Sequence, residues 1–213
     1  MVMNKVINYL KLKRKYLINI KKVTCVSKDV KFGLSSGIAL VDGSSPKDVQ
    51  IGHHVWLYGT IFSQSGGKVC LGNFVKIGPG SKLTAVEGIN VGDYTAMAQN
   101  VTISDNNNHP ISPRFRLYMR QQPEVDDSRL WKHSVHAQIN IGRNVWIGDN
   151  VRIQKGVTIG DNSIIAANSI VTKNVPPNCI AAGNPARIVK TDIDQIAAPN
   201  TCVGYNHYTQ SEV

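Results

Sequence analysis

The chain has 213 residues, of which 42% are apolar and 18% charged, and its formal net charge is +10. This length and balance fit one domain with a short appendage and exclude a disordered chain. The positive excess favours polyanionic partners such as cofactor phosphates, an acidic polysaccharide or a membrane surface. Cys25, Cys70, Cys179 and Cys202 are scattered without a CxxC pair, which argues against a zinc site or a disulfide framework and for a reducing compartment.

In chain order, residues 1–22 are expected as a basic helix or arm, carrying seven Lys or Arg and no acid. Its apolar runs are too short for a signal-peptide core or a membrane span, so the expected location is the cytoplasm. Two readings of this segment stand. It covers the open end of a solenoid, or its basic face beside Val, Ile and Leu docks on the inner face of an anionic membrane as a peripheral contact.

Residues 23–190 are expected as one repeat domain. From Ile141 the chain reads IGRNVW, IGDNVR, IQKGVT, IGDNSI, IAANSI, VTKNVP, six hexads ending at Pro176. Each begins with Ile or Val, and each fifth residue is Val or Ser. IGHHVW at Ile51, LGNFVK and IGPGSK from Leu71, and VGDYTA, MAQNVT and ISDNNN from Val91 continue the pattern upstream. A period of six fits neither a helix at 3.6 nor a strand at 2. It predicts an all-β, triangular parallel β-helix in which each hexad forms one side and one corner. The first residue points inward, Gly near the corner tolerates unusual backbone angles, and Asn and Asp supply the turns. Residues 23–105 form the early coils, about 106–138 break the repeat as a projecting loop, and 191–213 are a C-terminal tail. Insertions in solenoids usually sit on the functional face.

His109, where the repeat breaks in SDNNNHP, is the candidate catalytic residue, since a neutral imidazole suits proton abstraction near neutral pH. A turn histidine capping a coil is the plainer reading. Asp105 either orients that imidazole or caps a turn. His53 and His54 fall at turn positions of an early hexad, His133 and His136 fall late in the loop, and His207 falls in the tail. The loop also carries Arg114, Arg116 and Arg120, and Trp131, a platform on which a sugar ring would stack. Arg114 and Arg116 would engage a carboxylated or phosphorylated acceptor, or hold the loop to a neighbouring subunit. Glu124, Asp126 and Asp127 form an acidic patch in its second half.

The stretch NVWIGDNVRIQKGVTIGDNSIIAANSIVTKNVPPNCIAAGNPARIVK resembles the C-terminal half of the hexapeptide-repeat acyltransferases, in particular the maltose, galactoside and polysaccharide O-acetyltransferases. The resemblance covers roughly residues 70–190. It implies a left-handed coil, against the usual right-handed crossover, and transfer of acetyl from acetyl-CoA to a sugar hydroxyl, with His109 as base. It also implies a cofactor set of Trp146, Asp149 and Ala167 along the pantetheine arm and Thr172, Lys173 and Arg187 toward the adenosine and phosphates. It further implies a homotrimer in which His109 and Trp146 meet across subunits, a carbohydrate acceptor, and no metal.

The unusual N-terminus and basic loop point to a cell-surface polysaccharide or its precursor as acceptor. Rival activities are antibiotic O-acetylation, amino-sugar N-acetylation and, on a metal, the β-helical carbonic anhydrase type; the non-enzyme alternative is a β-helix scaffold. No motif for nucleic-acid recognition accompanies the charge.

Overall fold

The computed structural model describes residues 2–25, 27 and 29–197. The tail beyond residue 197, with Cys202 and His207, lies outside the described residues.

Residues 24–190 wind as a left-handed β-helix with three parallel sheets. The first sheet stacks Thr24–Cys25, Val49–Ile51, Lys68–Leu71, Gly88–Val91, Ile139–Ile141 and Thr158–Ile159. The second stacks Lys31–Phe32, Trp56–Leu57, Lys76–Ile77, Ala96–Met97, Trp146–Ile147, Ile164–Ile165 and Ile180–Gly183, closed by the antiparallel return Ala186–Lys190. The third stacks Gly37–Val41, Thr60–Gln64, Lys82–Ala85, Thr102–Ser104, Arg152–Ile153 and Ile170–Val171.

The hexad determines which side chains point inward. In the two-residue strands of the late coils, such as Trp146–Ile147 and Arg152–Ile153, the first residue faces out and the second is buried. The buried column Leu57, Ile77, Met97, Ile147 and Ile165 runs through the second sheet in strict register, each at most 1% exposed. Full burial of such a side chain is worth about 1.5–3 kcal/mol. The fifth residue is buried as well: Val145, Val151, Val157, Ser163 and Ser169 are each at most 1% exposed. Each hexad therefore supplies two residues to the core, not one.

The corners differ from expectation in one respect. The left-handed backbone falls on the fourth residue of the hexad, at Asn144, Asn150, Gly156, Asn162 and Asn168, where Asn is the least strained of the non-glycine residues. Gly in the second position has another reason. A Cβ at Gly142 would lie 2.3 Å from Asp161 Oδ1, and one at Gly160 would lie 2.3 Å from Pro177 N. The coil above leaves no room for it. Asparagine side chains then bond from coil to coil, Asn144 to Asn162 at 3.0 Å and Asn162 to Asn178 at 2.9 Å.

Helix α1, Val2–Asn19, closes the N-terminal end with its last turns. Asn19 is buried and donates to Ser36 Oγ, Lys15 Nζ donates to Ser36 O, and the Tyr16 ring meets Phe32 edge-on at 5.9 Å. Val6, Leu10 and Leu17 remain about half exposed, at 51%, 57% and 51%. No described helix is long and apolar enough to cross a membrane.

The insertion leaves the third sheet after Ser104 and re-enters the first at Ile139. It carries helix α2, Pro113–Gln121, started by Pro113 and by Ser112, whose Oγ accepts from Phe115 N at 3.3 Å. The loop then folds back onto the coil. The Trp131 ring packs on Phe62 with centroids 4.9 Å apart, and Trp131 N donates to Gln64 Oε1 at 2.7 Å.

Candidate active site

The break in the repeat is built on Asp105. Its side chain is fully buried and accepts the N–H groups of Val86, Glu87 and Gly88 at 2.8–3.0 Å, together with Asn106 Nδ2 at 3.0 Å. Burial, the largest influence, pushes this carboxyl above its ordinary range, while the four hydrogen-bond donors pull it back. Asp105 thus caps the turn at 86–88; its bonds run to that turn and to Asn106.

Beyond it the chain makes a tight polar turn. Asn106 Oδ1 accepts from Asn108 N at 2.9 Å, Asn108 is left-handed with φ 64°, and His109 N donates to Asn107 O at 2.7 Å. Pro110 is buried and anchors the turn, leaving His109 exposed on its outer side. Beside this turn lies a cavity of ≈ 210 Å³ whose polar walls include Ser104, Asn106, Asn108, Arg152 and Gln154, with Trp131 across from them.

The other histidines of the fold differ in their partners. His54 meets Asp29 at 2.7 Å, His133 meets Asp127 at 2.8 Å, and His136 meets Glu87 at 2.9 Å. His109 and His53 have no carboxylate within ion-pair distance among the described residues. Both adjoin residues that line a cavity, and of the two only His109 stands at the break in the repeat. Its imidazole is exposed at the start of the insertion.

The remaining predicted positions are distributed over the coil. Trp146 stands outward on the second sheet at 58% exposure, between Ala96 and Ile164 of the adjacent coils. Arg187 lies on the return strand at the edge of that sheet. Asp149 and Ala167 are at the corner between the second and third sheets, where Asp149 Oδ1 accepts from Gln99 N at 2.7 Å. Thr172 and Lys173 are exposed at the next corner, after Ile170–Val171. Within one chain these residues therefore lie on the second sheet and at two different corners of the last coils rather than around a single enclosed cavity.

His109 emerges where the third sheet gives way to the first, and Trp146 faces out from the second. Of the loop residues, Trp131 lines the cavity beside the His109 turn. Arg116 donates to the carbonyls of Pro110 and Ile111, bracing the turn that holds His109. Arg114 is exposed on α2.

Of the two readings of Asp105, orienting the imidazole or capping a turn, the structure shows the cap, with partners seventeen to nineteen residues upstream. One feature escaped sequence reasoning. Trp56 stands outward on the second sheet between Lys31 and Lys76. The available signal was its place as the sixth residue of IGHHVW, matching Trp146 in IGRNVW.

The bacterial transferase hexapeptide (six repeats) family matches residues 138–173. The chain is 36% identical over 141 residues to the galactoside O-acetyltransferase of Escherichia coli (strain K12), spanning 66% of this chain and 62% of that one. It is 36% identical over 146 residues to the polysialic acid O-acetyltransferase of Escherichia coli O1:K1 / APEC, spanning 68% of this chain and 43% of that one. The match thus covers less than two thirds of the length of either relative.

Among solved structures, the polySia-specific acetyltransferase NeuO superposes with a TM-score of 0.62 at 28% identity, over 82% of this chain and 73% of that one. The N-acyltransferase AntD from Bacillus cereus superposes at 0.63 with 20% identity, over 84% and 87%, a likeness of fold. With the hexads and the three parallel sheets, these likenesses give the chain a hexapeptide-repeat, left-handed β-helix fold, similar to that of the acyltransferases just named.

Proposed function

We propose that the protein transfers an acetyl group from acetyl-CoA to a sugar hydroxyl of a cell-surface polysaccharide or its precursor. The observation that carries this reading is His109: an exposed imidazole without a carboxylate partner, held at the repeat break by a buried Asp105 cap and a buried Pro110, in a chain related to two sugar O-acetyltransferases. His109 takes the proton of the acceptor hydroxyl as its oxygen attacks the thioester carbonyl. The carbon–sulfur bond then breaks, and the proton passes to the departing thiolate of coenzyme A. A base in this role contributes about 10²–10⁴-fold.

On the donor side, the exposed Trp146 face lies along the pantetheine arm and shields it from water. Asp149 and Ala167 line the same path. Thr172, Lys173 and Arg187 face the adenosine and phosphates, where fixed cations suit the anionic groups. On the acceptor side, Trp131 walls the cavity next to the His109 turn and Arg114 meets acceptor charge, while Arg116 acts through the backbone it braces.

Because His109 and Trp146 leave the coil at different places in one chain, the working unit is a homotrimer in which His109 of one subunit meets Trp146 of the next. The outward Val6, Leu10 and Leu17 of α1, beside Lys13 and Arg14, support peripheral contact with the cytoplasmic face of a membrane.

The test is acceptor-dependent thiol release from acetyl-CoA by wild type and His109→Ala over a glycan panel. A loss of about 10²–10⁴-fold with the oligomer intact is expected. Undiminished release in the variant would remove His109 from the mechanism.

A further inference from the structure

We infer that the second sheet carries a subsite for a carboxylated sugar unit of the acceptor, formed by Trp56 between Lys31 and Lys76. The inference deepens the glycan reading above and rests on it for the identity of the ligand as acceptor.

The three residues are cross-strand neighbours on successive coils, Lys31 opposite Trp56 and Trp56 opposite Lys76. Both lysines reach the indole: Lys31 Nζ lies 4.7 Å from the Trp56 ring centroid and Lys76 Nζ lies 5.6 Å from it. Both distances are within cation–π range, so the indole is flanked by an ammonium group from each neighbouring coil. Among the described residues neither lysine has a carboxylate within ion-pair distance, and the one acid lining the cavity, Asp29, is engaged by His54 at 2.7 Å. Asp29 Oδ1 has no hydrogen-bond partner among the described residues, so the cavity sets two ammonium groups against a single carboxylate, an excess of positive charge that an anion would relieve.

The surroundings suit a sugar rather than a bare ion. The cavity measures ≈ 710 Å³, room for more than one pyranose ring, and has Val30 and Val75 in its floor. Phe74, 47% exposed, forms one wall, its ring packed by Tyr94, with centroids 5.1 Å apart and planes 5° apart, and by His54, with centroids 4.6 Å apart. The exposed parts of Phe74 and Trp56 give apolar contact to a sugar ring, while the lysines take its carboxylate.

The place in the fold relates this subsite to the proposed chemistry. Trp56, Lys76, Ala96 and Trp146 occupy one column of the second sheet, in register. Three strand spacings separate Trp56 from Trp146, roughly 14 Å. A glycan bound at Trp56 would therefore present a unit two or three sugars distant toward the level of Trp146. The donor-side cations, Lys173 and Arg187, lie toward the opposite end of the coil. An extended, anionic acceptor fits this division of one molecule into a glycan end and a nucleotide end.

The experiment is equilibrium binding by calorimetry, without acetyl-CoA. The probes are oligogalacturonate and oligosialic acid, the carboxyl-reduced counterpart of each, and a polyphosphate of similar charge. The proteins are wild type, Lys31→Ala/Lys76→Ala and Trp56→Ala, each sized for oligomeric state.

The expected result is that at least one carboxylated oligomer binds wild type about tenfold tighter than its reduced form, consistent with two exposed charge contacts. The double lysine variant should lose that difference, and Trp56→Ala should weaken both forms. The inference is overturned by equal binding of carboxylated and reduced oligomers, by absence of binding, by tighter binding of polyphosphate, or by variants that dissociate the oligomer. Since no transfer step is read, carboxylate-selective binding by a protein that never acetylates would refute the acetyltransferase reading alone. Acetylation of neutral glycans without such selectivity would refute the subsite alone.

Discussion

Asp105 offers the sharpest test of how the site is held. Replacing it with alanine removes the acceptor of three backbone N–H groups, those of Val86, Glu87 and Gly88. A buried donor left unpaired costs about 1–3 kcal/mol. Glu87 is exposed and its N–H can reach water, so the sum over the other two is about 2–6 kcal/mol, a large part of the roughly 5–15 kcal/mol that holds a domain together. Asp105→Asn is the better probe, since it keeps one oxygen and turns an amide toward one of the donors, for a loss of about 1–3 kcal/mol.

Urea unfolding followed by circular dichroism reads this loss, and its pH dependence has a defined sign. Burial holds the folded carboxyl above its ordinary range, so the folded state binds the proton more tightly than the unfolded state does. The stabilisation is complete below the unfolded value of about 3.9 and is lost as pH rises through the folded value. Asparagine does not titrate there, so the advantage of wild type over Asp105→Asn narrows as pH rises above about 4. An advantage that widens instead, or a loss below about 0.5 kcal/mol at every pH, would refute the reading of a buried, burial-dominated cap.

Three further outcomes are expected. Gly78→Ala places a Cβ 2.1 Å from Ala98 O and should cost about 3 kcal/mol, whereas Gly88→Ala meets only Gln138 Cγ at 3.5 Å and should stay within about 0.5 kcal/mol in thermal melts; equal effects would discard close approach as the reason for the glycines. Asn162→Ala breaks two rungs of the corner ladder and leaves alanine at φ 59°, a loss of about 1–2 kcal/mol, and Asn162→Gly should recover part of it. Lys132, the larger influence, and His133 hold the Asp127 carboxyl below its ordinary range, so its contribution to the 127–133 turn is present above about pH 3.9 and lost as pH falls through the lower folded value. Trp131 emission, isolated by Trp56→Phe/Trp146→Phe, should report that loosening in acid, and Asp127→Asn should abolish the transition.

The coil was legible because its constraint is local and repeated. Every sixth residue must fill the same interior, so Ile141, Ile147, Ile153, Ile159 and Ile165 declare the period without any knowledge of what they touch. The early coils kept the same inward positions, as in Ile51, Leu57, Leu71 and Ile77, but their corners lengthen and hide the phase. The role of the glycines was misread because close approach to the coil above depends on residues such as Asp161 and Pro177, eighteen or so positions onward. Asp105 was ambiguous for the same reason: its acceptor role is defined by backbone groups of the preceding coil, which no local pattern displays.

The outward positions carry the functional information, and they too follow the phase once the coil is known. Trp56 and Trp146 are both sixth residues, so both must face out from the second sheet, and a count of coils places them in one column. Nothing in the inward pattern requires large aromatics or lysines there; an isolated coil would be more soluble with small polar residues at those positions. Exposed indole at 39% and 58% on one face, with lysines gathered around the lower ring, is better explained by what that face binds than by what it stabilises. The loop supplies the complement. It is anchored through Asp105, Pro110, Arg116 and Trp131, and among the described residues the exposed His109 imidazole has no carboxylate within ion-pair distance, which leaves it open to the proton transfer proposed above.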